Sequence, residues 1–114
     1  MIGYLEAAIR ARGVRQSVIA HNIANAHTPG FRRKAVRFEE MLAEAMASGR
    51  PRDLADARPE VFAPRTTPVD GAGNDVDLNR EVGELVKNDL LYKAYLRMLA
   101  GTYRKLELAM GGPK

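Results

Sequence analysis

The chain reads as an all-α protein. Two long terminal helices are expected to pair as an antiparallel coiled coil, with a short helix and an irregular middle between them. Three observations predict this. Apolar residues at both ends recur at alternating spacings of three and four, the signal of a heptad seam. The middle concentrates Pro51, Pro59, Pro64 and Pro68 with Gly49, Gly71 and Gly73, which break regular structure. Aromatic residues are only 6% of the chain and Trp is absent, so a dense globular core is not expected, whereas an elongated helical packing needs less.

The first helix is expected over positions 4 to 27, on the seam Ile2, Leu5, Ile9, Arg12, Gln16, Ile19, Ile23 and Ala26. Arg12 and Gln16 weaken its middle, and Gly13 costs roughly 1 kcal/mol relative to Ala in a helix. Pro29 stops it, having no N–H and a ring that clashes with the preceding turn. Pro29-Gly30 is type II turn chemistry, with Pro setting φ and Gly accepting a positive φ. Phe31 follows as an apolar anchor. Positions 36 to 47 suit a short amphipathic helix presenting Phe38, Met41, Leu42 and Ala45. Positions 49 to 75 are expected to be loop, with short extended pieces at 60–62 and 66–69. The second long helix is expected from Leu78 to Met110. Asp77 is its N-cap, and Glu81 and Glu84 suit the positive end of the helix dipole. Its seam is Val82, Leu85, Tyr92, Leu96, Leu99, Tyr103, Leu106 and Met110, with Asp89 filling the gap. Gly111-Gly112-Pro113 is the expected stop. One domain results, a discontinuous helical core from 4–27 and 78–110, with 28–77 forming a turn, the short helix and a loop projecting from the far end of the pair. Such a pair leaves Val14, Val18, Val86, Leu90, Leu91 and Tyr95 off the main seam, which points to packing inside a larger assembly.

Composition narrows the function. With 114 residues there is one domain at most, and without cysteine there is neither a disulfide framework nor thiol chemistry. The start has no continuous apolar region, because Arg10, Arg12 and Arg15 interrupt it, so no cleaved secretory signal is expected. No apolar run is long enough to span a membrane. His21 and His27 do not share a helix face, and Ser17, Thr28 and Ser48 have no positioned base. Glu39-Glu40 reads as a charged helix face, and Gly71-Ala72-Gly73 lacks the strand and basic residue of a phosphate loop. No catalytic residue, metal site or cofactor is expected.

Two polar features remain. Asn22 and Asn25 share a helix face. They are either ordinary helix-end asparagines or a buried ladder that sets register between helices, with Asn88 as the partner across the pair. Arg32, Arg33, Lys34 and Arg37 form a basic patch beside Phe31 and Phe38, in a chain of net charge +4. It is a solvated loop, a contact for an acidic neighbour or a nucleic-acid contact. The last is disfavoured, since no helix-turn-helix or stacking platform accompanies it.

The run Asn-Ile-Ala-Asn-Ala-His-Thr-Pro-Gly-Phe at 22–31 resembles the signature of bacterial flagellar rod, hook and related axial proteins. The run Gly-Asn-Asp-Val-Asp-Leu-Asn-Arg-Glu-Val-Gly-Glu-Leu at 73–85 resembles the second signature of the proximal rod proteins of B type, and Asn88 and Tyr92 fit the same pattern. The chain is therefore identified as a member of the flagellar basal-body rod family. A proximal subunit of C type is the nearest alternative within it. The segment ahead of the first signature is shorter than the family's, so the family's N-terminal export residues are not carried onto this chain.

The resemblance implies a structural subunit whose terminal helices pair into the inner tube of the periplasmic rod. It implies export through the flagellar type III gate without a cleaved signal. Implied partners are other copies, other rod subunits, the adaptor joining rod to membrane ring, and the export gate. Nucleic acid and a direct membrane span are not implied. Assembly residues are expected at Asn22, Ile23, Asn25, Thr28, Pro29, Gly30, Phe31, Val76, Leu78, Leu85, Asn88, Tyr92, Leu96, Leu99 and Tyr103. Outside this class, the alternative is a basic helical module binding nucleic acid or an acidic partner.

Overall fold

The computed structural model describes residues 1–111, so Gly112 and Pro113 of the expected stop lie outside the described residues. The order of elements is α1 (Ile2–Ala24), β1 (Ala35–Arg37), α2 (Glu39–Ala47), α3 (Pro51–Asp56), β2 (Glu60–Phe62) and α4 (Leu78–Ala109). The molecule is mostly helical and elongated, 63 × 31 × 14 Å. Its radius of gyration is 17.7 Å. A compact domain of this length would have about 13 Å.

The long helices start and stop close to expectation, for local reasons. Asn25 caps α1, and the Phe31 N–H reaches the Thr28 carbonyl across Pro29-Gly30 at 3.2 Å. Gly30 takes φ 74°, as the second central residue of a type II turn must. Asp77 caps α4, its carboxylate accepting from the Arg80 N–H at 3.2 Å. Residues late in α1 meet residues early in α4, and the start of α1 meets Met98 and Thr102, so the two helices run in opposite directions.

The middle corrects several expectations. It does not project from the far end of the pair; it folds back along α1. Ala7, Ala8 and Ala11 of α1 let backbones approach, and Val36, Phe38, Leu42, Ala45 and Leu54 fill the space against them. The expected helix at 36–47 begins only at Glu39, because Ala35–Arg37 pairs with Glu60–Phe62 in a two-stranded antiparallel sheet. Of the expected extended pieces, 60–62 is β2 and 66–69 forms no strand. The six-residue α3 lies within the expected loop, with Pro51 in its first turn, where a missing N–H costs nothing.

The α4 seam also needs correction. The face turned to α1 carries Glu81, Asn88 and Tyr95, each seven residues after the last. Val82, Leu96, Tyr103, Leu106 and Met110 are exposed, and Leu85, Tyr92 and Leu99 are half-buried. The expected apolar seam is therefore a second face, beside the one α1 covers.

Candidate functional site

A polar core joins the end of α1, the turn after it and the segment leading into α4. Asn74 reaches back to the turn. Its Nδ2 donates to the carbonyls of Asn25 at 2.9 Å and Thr28 at 2.8 Å. Its Oδ1 accepts from the Val76 N–H at 2.8 Å. The Gly30 N–H donates to the Ala72 carbonyl at 2.8 Å. Gly73, at the positive φ of 79°, packs against Gly30, where a Cβ on Gly73 would lie at an ordinary contact distance of 3.6 Å from the Gly30 Cα. Asp70 organises the approach, accepting from the Ala72 and Asn74 N–H groups at 2.8 and 3.0 Å. These bonds, the one from Asn74 foremost, hold its carboxyl below the usual range.

Asp75 is buried and accepts from the Arg33 backbone N–H and from Arg32 Nε, the latter at 3.1 Å. Glu81 is 0% exposed, and its Oε1 accepts from Asn22 Nδ2 and from Arg33 Nε at 3.2 Å. Asn22, also 0% exposed, clamps residue 34 like a strand partner. Its Nδ2 donates to the Lys34 carbonyl at 2.8 Å and its Oδ1 accepts from the Lys34 N–H at 2.9 Å. A buried carboxylate is tolerated only when paired and hydrogen-bonded. Arg33, 6% exposed, supplies the charge for Glu81.

Further along the helix pair, Asn88 Nδ2 donates to the Arg12 carbonyl at 2.9 Å and to Gln16 Oε1 at 2.8 Å. Its Oδ1 accepts from the Arg12 guanidinium at 3.2 Å. Arg12 and Gln16 are thus not gaps in a seam; both bond to Asn88 across it, and of the two only the buried Arg12 Nε is left without a partner. Beside them Arg15 grips Glu39 through two bonds of 2.8 and 2.9 Å and stacks 4.3 Å from the Phe38 ring centre. That hydrogen bonding brings the Glu39 carboxyl down to about 2. At the start of α1, burial, with Tyr95 alongside, pushes the Tyr4 hydroxyl up.

The expected site residues divide into groups. Asn22, Asn25, Thr28, Pro29 and Gly30 join the polar core or its turn, and Asn88 holds the α1–α4 contact. Asn22 is buried, but its partner is Glu81 and not Asn88. Ile23, Phe31 and Val76 are half-buried around this core, with the His21 ring edge-on to Phe31 at 5.5 Å. Leu78, Leu96 and Tyr103 face outward. The basic patch is not one patch. Arg32 and Arg33 turn inward to Asp75 and Glu81, whereas Lys34 and Arg37 are exposed. Arg37 lies over the Phe62 ring at 4.2 Å.

Four residues of the core were missing from the expected set: Arg12, Asn74, Asp75 and Glu81. Asn74 and Asp75 stand inside the second signature. For Glu81 the usable signal is its spacing of seven before Asn88. Among the described residues no group of three or more His, Asp or Glu is placed to hold a metal, and no helix is long and apolar enough to cross a membrane.

An elongated helical subunit, stitched by buried polar groups and carrying an uncovered heptad face, is built as a component of an assembly. The comparisons with known proteins agree. The family model described as flagella basal body rod protein matches residues 5–32. The chain is similar to the flagellar basal body rod protein FlgB of Bacillus subtilis, 31% identical over 96% of this chain and 92% of that protein. The FlgB of Aeromonas hydrophila is 32% identical over the same shares of both chains, and that of Escherichia coli K12 is 30% identical over 86% of this chain and 83% of its own. The chain belongs to the flagellar basal body rod protein FlgB family. It is a structural subunit of the flagellar basal-body rod, not an enzyme, and works in assembly with other rod subunits.

Proposed function

We propose that this chain is a subunit of the proximal rod, and that it assembles through its terminal helices to transmit motor torque. In this reading α1 and α4 form an antiparallel coiled coil, and neighbouring subunits cover the second face of α4. One observation carries it. The columns Val82–Asp89–Leu96–Tyr103–Met110, apolar but for Asp89, and Leu78–Leu85–Tyr92–Leu99–Leu106 keep heptad spacing, and most of their apolar members are exposed on the single chain. A seven-residue repeat sustained over four heptads is a packing seam, and exposed it calls for further helices. The columns Leu5–Arg12–Ile19–Ala26 and Glu81–Asn88–Tyr95 support the coiled-coil pairing.

Leu78, Leu96, Tyr103 and the adjoining Leu85, Tyr92 and Leu99 then meet neighbours directly. Asn22, Ile23, Asn25, Thr28, Pro29, Gly30, Phe31, Val76 and Asn88 act through the fold, by fixing how the two helices present that face. The periplasmic location, export through the type III gate without a cleaved signal, and contact with the adaptor at the membrane ring belong to the same reading. They rest on the family resemblance.

The test is deletion of the coding region in the host, followed by electron microscopy of basal bodies and complementation. Rings without rod, hook or filament are expected, with rescue by the wild-type chain and not by Leu96→Asp with Tyr103→Asp. A stub of proximal rod persisting on the rings would refute the proximal placement. Full rescue by the double variant would refute assembly through this face of α4.

A further inference from the structure

A cleft of about 380 Å³ opens between α1, β1, the end of β2 and the first turns of α4. Its floor includes Val18, Ile19, Val36 and Phe62, and its lining is basic. Arg15 and Arg33 are already paired, with Glu39 and Glu81. Lys34, Arg80 and Lys87 have no ion-pair partner among the described residues, and Glu84 is the one unpaired carboxylate among them. Cations gathered in one cleft suit an anionic segment.

The same chain carries such a segment. Glu40 and Glu44 stand one turn apart on α2, and with Glu60 of β2 they surround Met41 in a separate hollow, offset only by Arg37. All three carboxylates are exposed. Side chains at this spacing lie about 5–6 Å apart, close enough for both to reach one cationic rim. Met41 itself is half-buried against the chain's own core, so the exposed carboxylates carry the contact.

We propose that the basic cleft docks the acidic edge of α2 on a second copy of this chain. The inference rests on the rod-subunit reading and deepens it by naming a contact between copies. Two cationic clefts would repel each other, so cleft does not face cleft; each faces the acidic edge of the other copy. Cleft and acidic edge are different patches, so their union is either reciprocal about a two-fold axis or head-to-tail. The reciprocal form closes as a dimer, and the head-to-tail form propagates into rings or open helices.

Charge exchange tests it on the full chain by sedimentation velocity, at low and high salt, with circular dichroism to show that each variant is folded. The variants are Lys34→Glu with Lys87→Glu, and Glu40→Lys with Glu44→Lys. These four side chains lie outside the polar core. The wild type is expected to self-associate at low salt and less at high salt. Each variant alone should associate at least about tenfold more weakly. Mixing the two should restore association, because each then supplies the charge the other needs. The proposal is overturned if the variants associate like the wild type, if mixing restores nothing, or if the wild type stays monomeric at both salts. Leu96→Asp is the separating control. If it alone abolishes association, the α4 face stands as an assembly surface and only the cleft contact falls.

Discussion

Glu81→Ala should destabilise the isolated chain more than any surface change. Glu81 is fully buried, and its Oε1 serves both Asn22 and Arg33. Truncation leaves the Arg33 guanidinium buried without its counter-charge, since its side chain is only 7% exposed. Breaking one side of such a pair costs about 3–5 kcal/mol. At 0.05–0.15 kcal/mol per residue, a domain of this length has roughly 6–17 kcal/mol in all. Urea unfolding followed by circular dichroism reads the loss directly. With a slope of about 2 kcal/mol per molar, the midpoint should fall by about 1.5–2.5 M. Glu81→Leu combined with Arg33→Met removes both charges and should recover most of that loss, because an apolar pair of similar volume replaces a buried ion pair at little cost. Asp75 still accepts from the residue 33 backbone, so that tie survives. A Glu81→Ala midpoint within about 0.5 M of wild type, or a double variant no better than the single one, would refute the assignment of Glu81 and Arg33 as mutually dependent.

Asn88→Ala removes three hydrogen bonds to Arg12 and Gln16. It should cost about 1–3 kcal/mol, read as a lower urea midpoint at unchanged folded-state helicity; an unchanged midpoint would show that α1 and α4 do not depend on it. Gly73→Ala forces a Cβ onto a residue at φ 79° and should cost about 1–2 kcal/mol. Gly83→Ala lies in α4 with open space around the new Cβ, and it should stabilise by about 0.5–1 kcal/mol; thermal melts of the two should move in opposite directions. Glu39 has its carboxyl lowered from 4.5 to about 2 by Arg15. A depressed acid contributes stability above its unfolded value, and that contribution is lost as pH falls from about 4.5 toward 2. The wild-type advantage over Glu39→Gln in urea midpoint should therefore shrink across that window. A gap constant from neutral pH down to 2 would contradict the Arg15–Glu39 pairing.

What was legible in the sequence was what is decided locally. The Pro29-Gly30 turn, the Asp77 cap and the extents of both long helices depend on neighbours a few residues away, and the chain announces them. β1 was hidden because its hydrogen bonds go to Glu60–Phe62, far along the chain, while Phe38, Met41, Leu42 and Ala45 extend a helical spacing back over it. α3 was hidden by surrounding prolines, although Pro51 and Asp53 are themselves helix-start residues. The seam of α4 is the instructive case. Heptad spacing tells that a face will be buried, but not whether the same chain buries it. Here α1 takes the neighbouring face, whose Glu81 and Asn88 look like surface residues until Asn22, Arg33 and Arg12 are placed opposite them.

The polar core also explains why two separate runs of sequence carry the family resemblance. Asn74 bonds the turn of the first run, Asp75 and Glu81 neutralise the arginines that follow it, and Asn22 ties the first run to both Lys34 and Glu81. Each run leaves buried polar groups unsatisfied without the other. The two signatures are therefore halves of one structural device, and the angle at which α4 offers its uncovered face is set where they meet.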